Sequence, residues 1–275
     1  MHYYGLRAVM LAALLSGAAM LAGAVWFGTA GLAVASAVLF AIGWAAYFHS
    51  ERTVLTAFGA RPVSEVERPE LYRLVRELCS VARLPMPRLL VSPAVQPNVL
   101  TVGYSPRSAA MCCTEGLLRV LSPAELRAVV AHELAHVSRR DLAVSSWSAG
   151  LASLVAFCPL SALLLHLTTA PVREYDADAE GALLAGDPMA LASALRKIDA
   201  ATEPTRSIGR GAAHLCIADP RGRELNQGES GWANLWGTHP PISKRIALLE
   251  SMAGVVSTEP SEAAMRAAAG GTPIG

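Results

Sequence analysis

The sequence predicts an α+β chain: an N-terminal helical hairpin apolar enough to cross a membrane, then a mainly α-helical domain with a small β-sheet. Three observations predict it. Residues 8–50 contain no Asp, Glu, Lys or Arg. Apolar residues recur at helical spacing over 69–83 and again over 122–141. Between those helices, short apolar runs at 88–92, 98–103 and 108–114 are bounded by Pro, Gly, Ser or Asn, as strands are.

Composition agrees. A chain of 275 residues holds one or two domains, and 53% apolar against 16% charged residues points to membrane segments. A net charge of +1 gives no field that would attract nucleic acid. The five cysteines are odd in number and form no CxxC pair, which argues against a disulfide framework or a cysteine zinc site. Adjacent Cys112 and Cys113 face opposite sides of a strand, as buried thiols in a reducing compartment do.

Residues 1–50 form the first unit. Their charge-free run is about twice the length of one helical span. Gly28-Thr29-Ala30-Gly31 reads as a tight turn between spans at about 8–27 and 32–48. Trp26, Phe27, Trp44, Tyr47 and Phe48 fall near the span ends, where interfacial aromatics are favoured. Gly17, Ala18, Gly23, Ala24, Gly31 and Ala35 let the two helices approach closely. Arg7, Arg52 and Arg61 flank the pair, so the positive-inside rule puts both ends in the cytoplasm. A cleaved signal peptide is the competing reading, since Ala22-Gly23-Ala24 resembles a cleavage site, but a second apolar segment follows at once.

The second unit spans 51–254. Residues 51–68 read as a linker. Leu71, Leu74, Val75, Leu78 and Val81 share one face of an amphipathic helix over 69–83, ended by Pro85 and Pro87. The run from Pro97 to Gly103 reads either as an interior strand or as an exposed edge that could pair with an extended peptide.

The helix over 122–141 is the best signalled. Ser122 is an N-cap, Pro123 suits the first helical position and Glu125 completes a capping box. The helix carries His132-Glu133-Leu134-Ala135-His136, an H-E-x-x-H pattern. Positions i and i+4 share a face, so both imidazoles can reach one metal ion and Glu133 can reach the reacting water. A chance match in a chain this long is roughly a one-in-a-hundred event, so the site needs a third ligand.

Residues 142–172 are apolar again. If ligands lie on both sides of this segment, it must return to the side of the membrane it left. Pro159 is the natural bend between two short helices, which either dip into the bilayer or form a buried hairpin of the soluble domain. His166, alone there, reads as a core or interface histidine. Glu174 and Asp178 then fall at i and i+4 on one helix face. A carboxylate with two histidines makes a His₂Glu zinc site with an open position. Asp178 can hydrogen-bond a zinc-bound histidine from behind, and Asp141 is a second candidate for that role. Asp176 and Glu180 read as a solvated face. His214 reads as a structural histidine at the start of a strand, a helix follows over 241–253, and glycines mark loops at 202–213 and 221–237. Residues 255–275 form a disordered tail.

Several stretches resemble, in order, those of the HtpX-type membrane zinc metalloproteases, gluzincins related more distantly to the CAAX prenyl proteases. They are Pro97-Asn98 followed by Gly103, and Thr114-Glu115-Gly116-Leu117-Leu118 leading into the H-E-x-x-H helix. Arg173-Glu174-Tyr175 through Ala177-Asp178-Ala179 follows, then Ala192 through Ile198. Last come Thr238-His239-Pro240-Pro241-Ile242 and Lys244-Arg245-Ile246. The resemblance runs from about residue 5 to 252. It implies a zincin-like metalloprotease domain with one Zn²⁺ held by His132, His136 and Glu174, and Glu133 as catalytic base. It also implies a substrate strand at Asn98, Val99, Leu100 and Thr101, and a multi-pass protein of the inner or plasma membrane with its site in the cytoplasm. Misfolded or membrane polypeptides would be its substrates, in quality control and stress response. One departure is residues 142–172, shorter than the family's usual pair of hydrophobic regions.

The expected reaction is zinc-assisted peptide hydrolysis, with Glu133 moving the proton. His239 is the candidate donor to the oxyanion, or else a turn histidine holding the Pro240-Pro241 corner that Arg245 orients. Three rival readings stand beside this. Hydrolysis inside the bilayer is opposed by Glu125, Arg127, Arg139, Arg140 and Asp141 on or beside the zinc helix. A membrane sensor lacks a visible ligand-binding domain. A non-catalytic scaffold would not need every expected catalytic residue.

Overall fold

The computed structural model describes residues 3–139, 142–143, 146, 171–202, 215–218 and 240–258. Asp141, His166, His214, His239 and most of 142–172 and of the two expected loops lie outside the described residues.

Helix α1 (Tyr3–Ala57) contains one stretch, Leu14–Ala45, long and apolar enough to cross a membrane, with mean hydropathy 2.0. Gly28 interrupts it at φ 64°, ψ −147°, a conformation that a side chain would disfavour. Gly23 lies so close to Gly31 that an added Cβ would sit 2.7 Å from the Gly31 carbonyl oxygen and 3.2 Å from Ala35 Cβ. The helix continues to Ala57, so residues 51–57 are not the expected linker. Val54 and Leu55, with Phe58 just beyond, are buried against the sheet, and that contact carries the helix past the charges at Glu51 and Arg52.

The sheet comprises β1 (Arg61–Pro62), β2 (Arg88–Ser92), β3 (Val99–Val102) and β4 (Ala110–Thr114), in the order β1-β2-β4-β3. β2 runs parallel to β4 with Leu90 opposite Cys112; β3 runs antiparallel to β4 with Leu100 opposite Cys112. Both faces are covered, so β3 and β4 are buried throughout rather than alternating between buried and exposed positions. Leu89, Val91, Val99, Met111 and Cys113 face a helical layer. Leu90, Leu100, Val102, Ala110 and Cys112 face the end of α1. The two adjacent cysteines thus point to opposite sides, as expected. Among the described residues, the outer edge of β3 is not open. Leu100 bridges antiparallel to Cys216, and Ile217 N–H donates to Val99 O at 3.1 Å.

The helical layer is built from α2 (Pro69–Ala82), α3 (Glu115–Val120), α4 (Pro123–Ser138), α5 (Pro171–Ala185), α6 (Pro188–Ala200) and α7 (Ile242–Thr258). α2 buries Leu71, Val75 and Leu78 and ends before Pro85, with Arg83 left-handed at φ 56°. α4 starts as its capping box dictates: Ser122 Oγ accepts from Glu125 N–H, and Glu125 Oε2 accepts from Ser122 N–H at 2.7 Å. Its middle, Ala128 through Ala135, is buried on all sides.

α5 lies directly on α4. A Cβ at Gly181 would fall 2.6 Å from His132 Cα, so glycine there permits the close approach. Asp176 and Glu180, expected as a solvated face, each accept from Arg139 at 2.6 Å. α6 is capped by Asp187, whose side chain accepts from Ala190 N–H at 2.9 Å. α7 runs to Thr258, so residues 255–258, expected in the tail, form its last turn.

Candidate metal centre and active site

α4 presents His132 and His136 on one face, and the close seat of α5 brings Glu174 to them. His132 Nε2 lies 3.8 Å from Glu174 Oε2, and His136 Nε2 lies 3.6 Å from Glu174 Oε1. The three ligand atoms all fall within 4.8 Å of one another. Zinc bonded tetrahedrally at about 2.0–2.2 Å sets its ligands roughly 3.4 Å apart. The donor set and its spacing therefore fit that ion.

Behind His132 stands Asp178, one turn after Glu174. His132 Nδ1 is 3.0 Å from Asp178 Oδ1, but its N–H is not aligned with that oxygen and makes no well-formed hydrogen bond. A carboxylate at this place can orient the ring, whose Nε2 is directed at Glu174. Asp178 also accepts two hydrogen bonds from Arg245, at 2.7 Å from Nε and 2.7 Å from Nη2. Burial pushes the Asp178 carboxyl up, but the Arg245 guanidinium outweighs it and holds the group below its ordinary value. Burial likewise opposes the Arg245 charge, and Asp178 then raises the group above its usual range. The pair is a buried ion pair with its hydrogen bonds satisfied. Arg245 Nη1 also lies 3.4 Å from Glu174 Oε2.

Glu133, buried on α4, accepts a hydrogen bond from Thr101 Oγ1 at 2.6 Å. β3 thus touches the carboxylate through a side chain that was expected to meet substrate. The other three residues of the expected substrate strand lie nearby in different roles. Asn98 N–H donates to Thr114 Oγ1 at 2.9 Å, and its Nδ2 donates to Ala218 O at 3.0 Å. Val99 presents its carbonyl to Ile217, and Leu100 faces the end of α1.

The structure thus brings His132, Glu133, His136, Glu174, Asp178 and Thr101 together. Arg245 is the residue whose part in the site the sequence did not reveal, since its expected role was to orient a proline corner. A signal was present: Ile242, Arg245 and Leu249 fall on one stripe of α7, and all three are buried. An arginine on an apolar stripe needs a buried partner.

This combination of fold and site defines a membrane metalloprotease of the H-E-x-x-H type. The family model for "Peptidase family M48" matches residues 65–253. A "Protease HtpX homolog" from Kineococcus radiotolerans is 38% identical, over 92% of this chain and 98% of its own length. Another from Bifidobacterium longum is 34% identical, over 94% and 95%. The chain belongs to peptidase family M48. Its fold is also similar to the crystal structure of Ste24p from S. mikatae, with TM-score 0.53 and 15% identity, over 88% of this chain and 64% of that one.

Proposed function

We propose that this protein is a membrane-anchored zinc endopeptidase that hydrolyses misfolded or membrane polypeptides on the cytoplasmic side. The observation that carries it is the convergence of His132, His136 and Glu174 within 4.8 Å, with Glu133 on the same helix as the two histidines. Zinc bound there supplies a Lewis acid that lowers the pKa of water and polarises the scissile carbonyl. Glu133 takes the proton and delivers it to the leaving amine. Thr101 holds one of its carboxylate oxygens, leaving the other for the proton. Asp178 orients His132, and Arg245 keeps Asp178 ionised. His239 donates to the oxyanion.

Two transmembrane spans meeting at Gly28 anchor the domain. Gly23 and Gly31 would stand about 12 Å apart on a straight helix, so their close contact supports a reversal of the chain between them. Arg7, Arg52 and Arg61 at the outer ends support a cytoplasmic catalytic domain.

The test is Glu174→Ala in full-length protein, assayed for bound zinc and for cleavage of casein. Loss of both is expected, and unchanged zinc content would remove Glu174 from the ligand set. Cysteine labelling in intact cells checks the orientation, and labelling of the domain from outside would overturn it.

A further inference from the structure

Contacts between α1 and the sheet fix how far the catalytic carboxylate stands from the apolar part of α1. The stretch long enough to cross a membrane ends at Ala45, but the helix continues to Ala57. Tyr104, just past β3, shares a hydrogen bond with Ser50 Oγ and donates to the Tyr47 carbonyl. Its ring centroid lies 4.2 Å from that of Tyr47. Arg88, at the start of β2, pairs with Glu51, and at the other end of that strand Ser92 Oγ donates to the Phe58 carbonyl. β2 and the end of α1 therefore run side by side, away from the apolar stretch. Thr101 is level with Met111 and Leu89 across the sheet, one residue beyond Arg88. The helix from Ala45 to Glu51 and the strand step from Arg88 to Leu89 place Thr101 about 12 Å beyond the apolar stretch. The Glu133 carboxylate is at that level, bonded to Thr101 at 2.6 Å. The path through Tyr104 agrees, since three extended residues back to Thr101 cover about 10 Å. Val54, Leu55 and Phe58, buried with Leu90, Leu100 and Val102, keep the helix from pivoting.

The site also opens on the near side. Glu133 meets Thr101, and Ser146, beyond the end of α4, accepts from Gly103 N–H at 3.0 Å. α4 thus leads back toward the apolar end of α1. His136, one turn farther along it than His132, has 19% of its side chain exposed against 1%, and Glu174 has 16%.

We propose that α1 is a ruler that holds the site about 12 Å from the bilayer surface and so selects peptide bonds just outside a transmembrane segment. This rests on the anchored-protease reading and deepens it by naming the substrate class: a membrane-anchored polypeptide, cut in its first extended residues past the bilayer. An extended chain covers 12 Å in about four residues, so bonds much nearer the bilayer cannot reach the carboxylate. Distant bonds are disfavoured for another reason. A flexible tail spreads as the square root of its length, over roughly 11 Å at four residues and roughly 33 Å at 36. A bond 36 residues out is therefore about a third as concentrated at the level of the site.

The test uses the full-length enzyme in phosphatidylcholine vesicles. The substrate is a single-span polypeptide in the same vesicles, with an exposed Ala-Ser repeat tail of about 40 residues that offers the same bonds at every distance. Cuts are mapped by mass spectrometry, with Glu133→Gln as the blank. The nearest cut is expected three to six residues past the span, and bonds there should be cut about three times as often as those 36 residues out. A nearest cut inside the span or more than six residues outside it, or even cutting along the tail, would overturn the proposal. Seven polar helix-forming residues inserted after Phe48 add two turns, keep the helix facing to within about 20°, and lift the site by about 10 Å. The nearest cut should then move about three residues outward, and an unmoved cut would also overturn the proposal. Soluble casein separates the two readings. Casein cleavage with even cutting along the tail removes the ruler alone, whereas failure to cleave either substrate removes the protease reading and the ruler with it.

Discussion

Asp178→Asn removes one charge from the chain of contacts that runs from Arg245 through Asp178 to His132, without changing the volume at that position. In the wild type, Asp178 accepts two bonds of 2.7 Å from a fully buried guanidinium. The variant leaves that cation with a neutral neighbour. Removing one partner of a buried ion pair costs about 3–5 kcal/mol. For a protein of this size each kcal/mol moves the melting point by about 2–4 °C, so metal-free protein should melt about 10 °C lower. Zinc affinity falls as well, because His132 loses the acceptor that sets its tautomer. Such losses run about 10–100-fold. The upper end is expected, since the unpaired Arg245 is already 3.4 Å from Glu174, the proposed ligand. Adding Arg245→Met removes the stranded cation, so the double variant should recover at least about 2 kcal/mol of the summed single costs, while zinc affinity stays low. The assay is thermal unfolding of metal-free, detergent-solubilised protein for all four forms, with zinc affinity read by competition against a chromogenic chelator. Additive melting-point losses, or wild-type zinc affinity in Asp178→Asn, would refute the reasoning.

Further outcomes follow from neighbouring contacts. Thr101→Val removes the hydroxyl that holds Glu133 and should lower kcat about tenfold, a neutral-to-charged hydrogen bond being worth about 1.5 kcal/mol or more. KM should not change, and Thr101→Ser should restore kcat; a rise in KM alone would place Thr101 with the substrate instead. Gly181→Ala puts a methyl 2.6 Å from His132 Cα, forces α5 off α4 and should reduce zinc affinity more than tenfold by metal titration. Glu125 tests acid stability. Burial pushes its carboxyl up, but bonds from Lys197, the Ser122 N–H and Ser193 outweigh burial and hold it down at about 2, against an ordinary 4.5. A pKa depressed on folding stabilises the protein above the unfolded value, and that benefit is lost as pH falls through the folded value. Wild type should therefore exceed Glu125→Gln by about 2 kcal/mol at pH 7, allowing for the exposure of Lys197. The gap should close between about pH 4.5 and 2, and a gap independent of pH would contradict the assignment.

How much of this was legible in the sequence depended on how far each signal reached along the chain. α4 was readable from its own residues, because Ser122, Pro123 and Glu125 act within one turn and His132 and His136 share a face by helical spacing alone. α2 and the three longer strands were readable for the same reason. The strand order was not, because Leu90 meets Cys112 and Leu100 meets Cys112 only after long connections close. The helix through Ala57 was missed because Glu51 and Arg52 look like the end of an apolar run. Only the sheet beneath explains why Val54, Leu55 and Phe58 stay helical or packed. At the site, the carboxylates at Glu174 and Asp178 announced themselves by i, i+4 spacing. Arg245 and Thr101 did not, because an ion pair across 67 residues and a hydrogen bond across 32 leave no local pattern. The cover on β3 escaped for a like reason: four residues near 215 carry no periodicity that says which edge they join.

The central claim is that His132, His136 and Glu174 hold a zinc ion at which Glu133 acts as the base. Purified wild type and Glu133→Gln, prepared side by side and assayed for bound metal and for casein cleavage, test it most directly. The account predicts about one zinc per chain in both and cleavage in the wild type alone. A Glu133→Gln protein that cleaves at the wild-type rate, or a wild type that cleaves without bound metal, would contradict it.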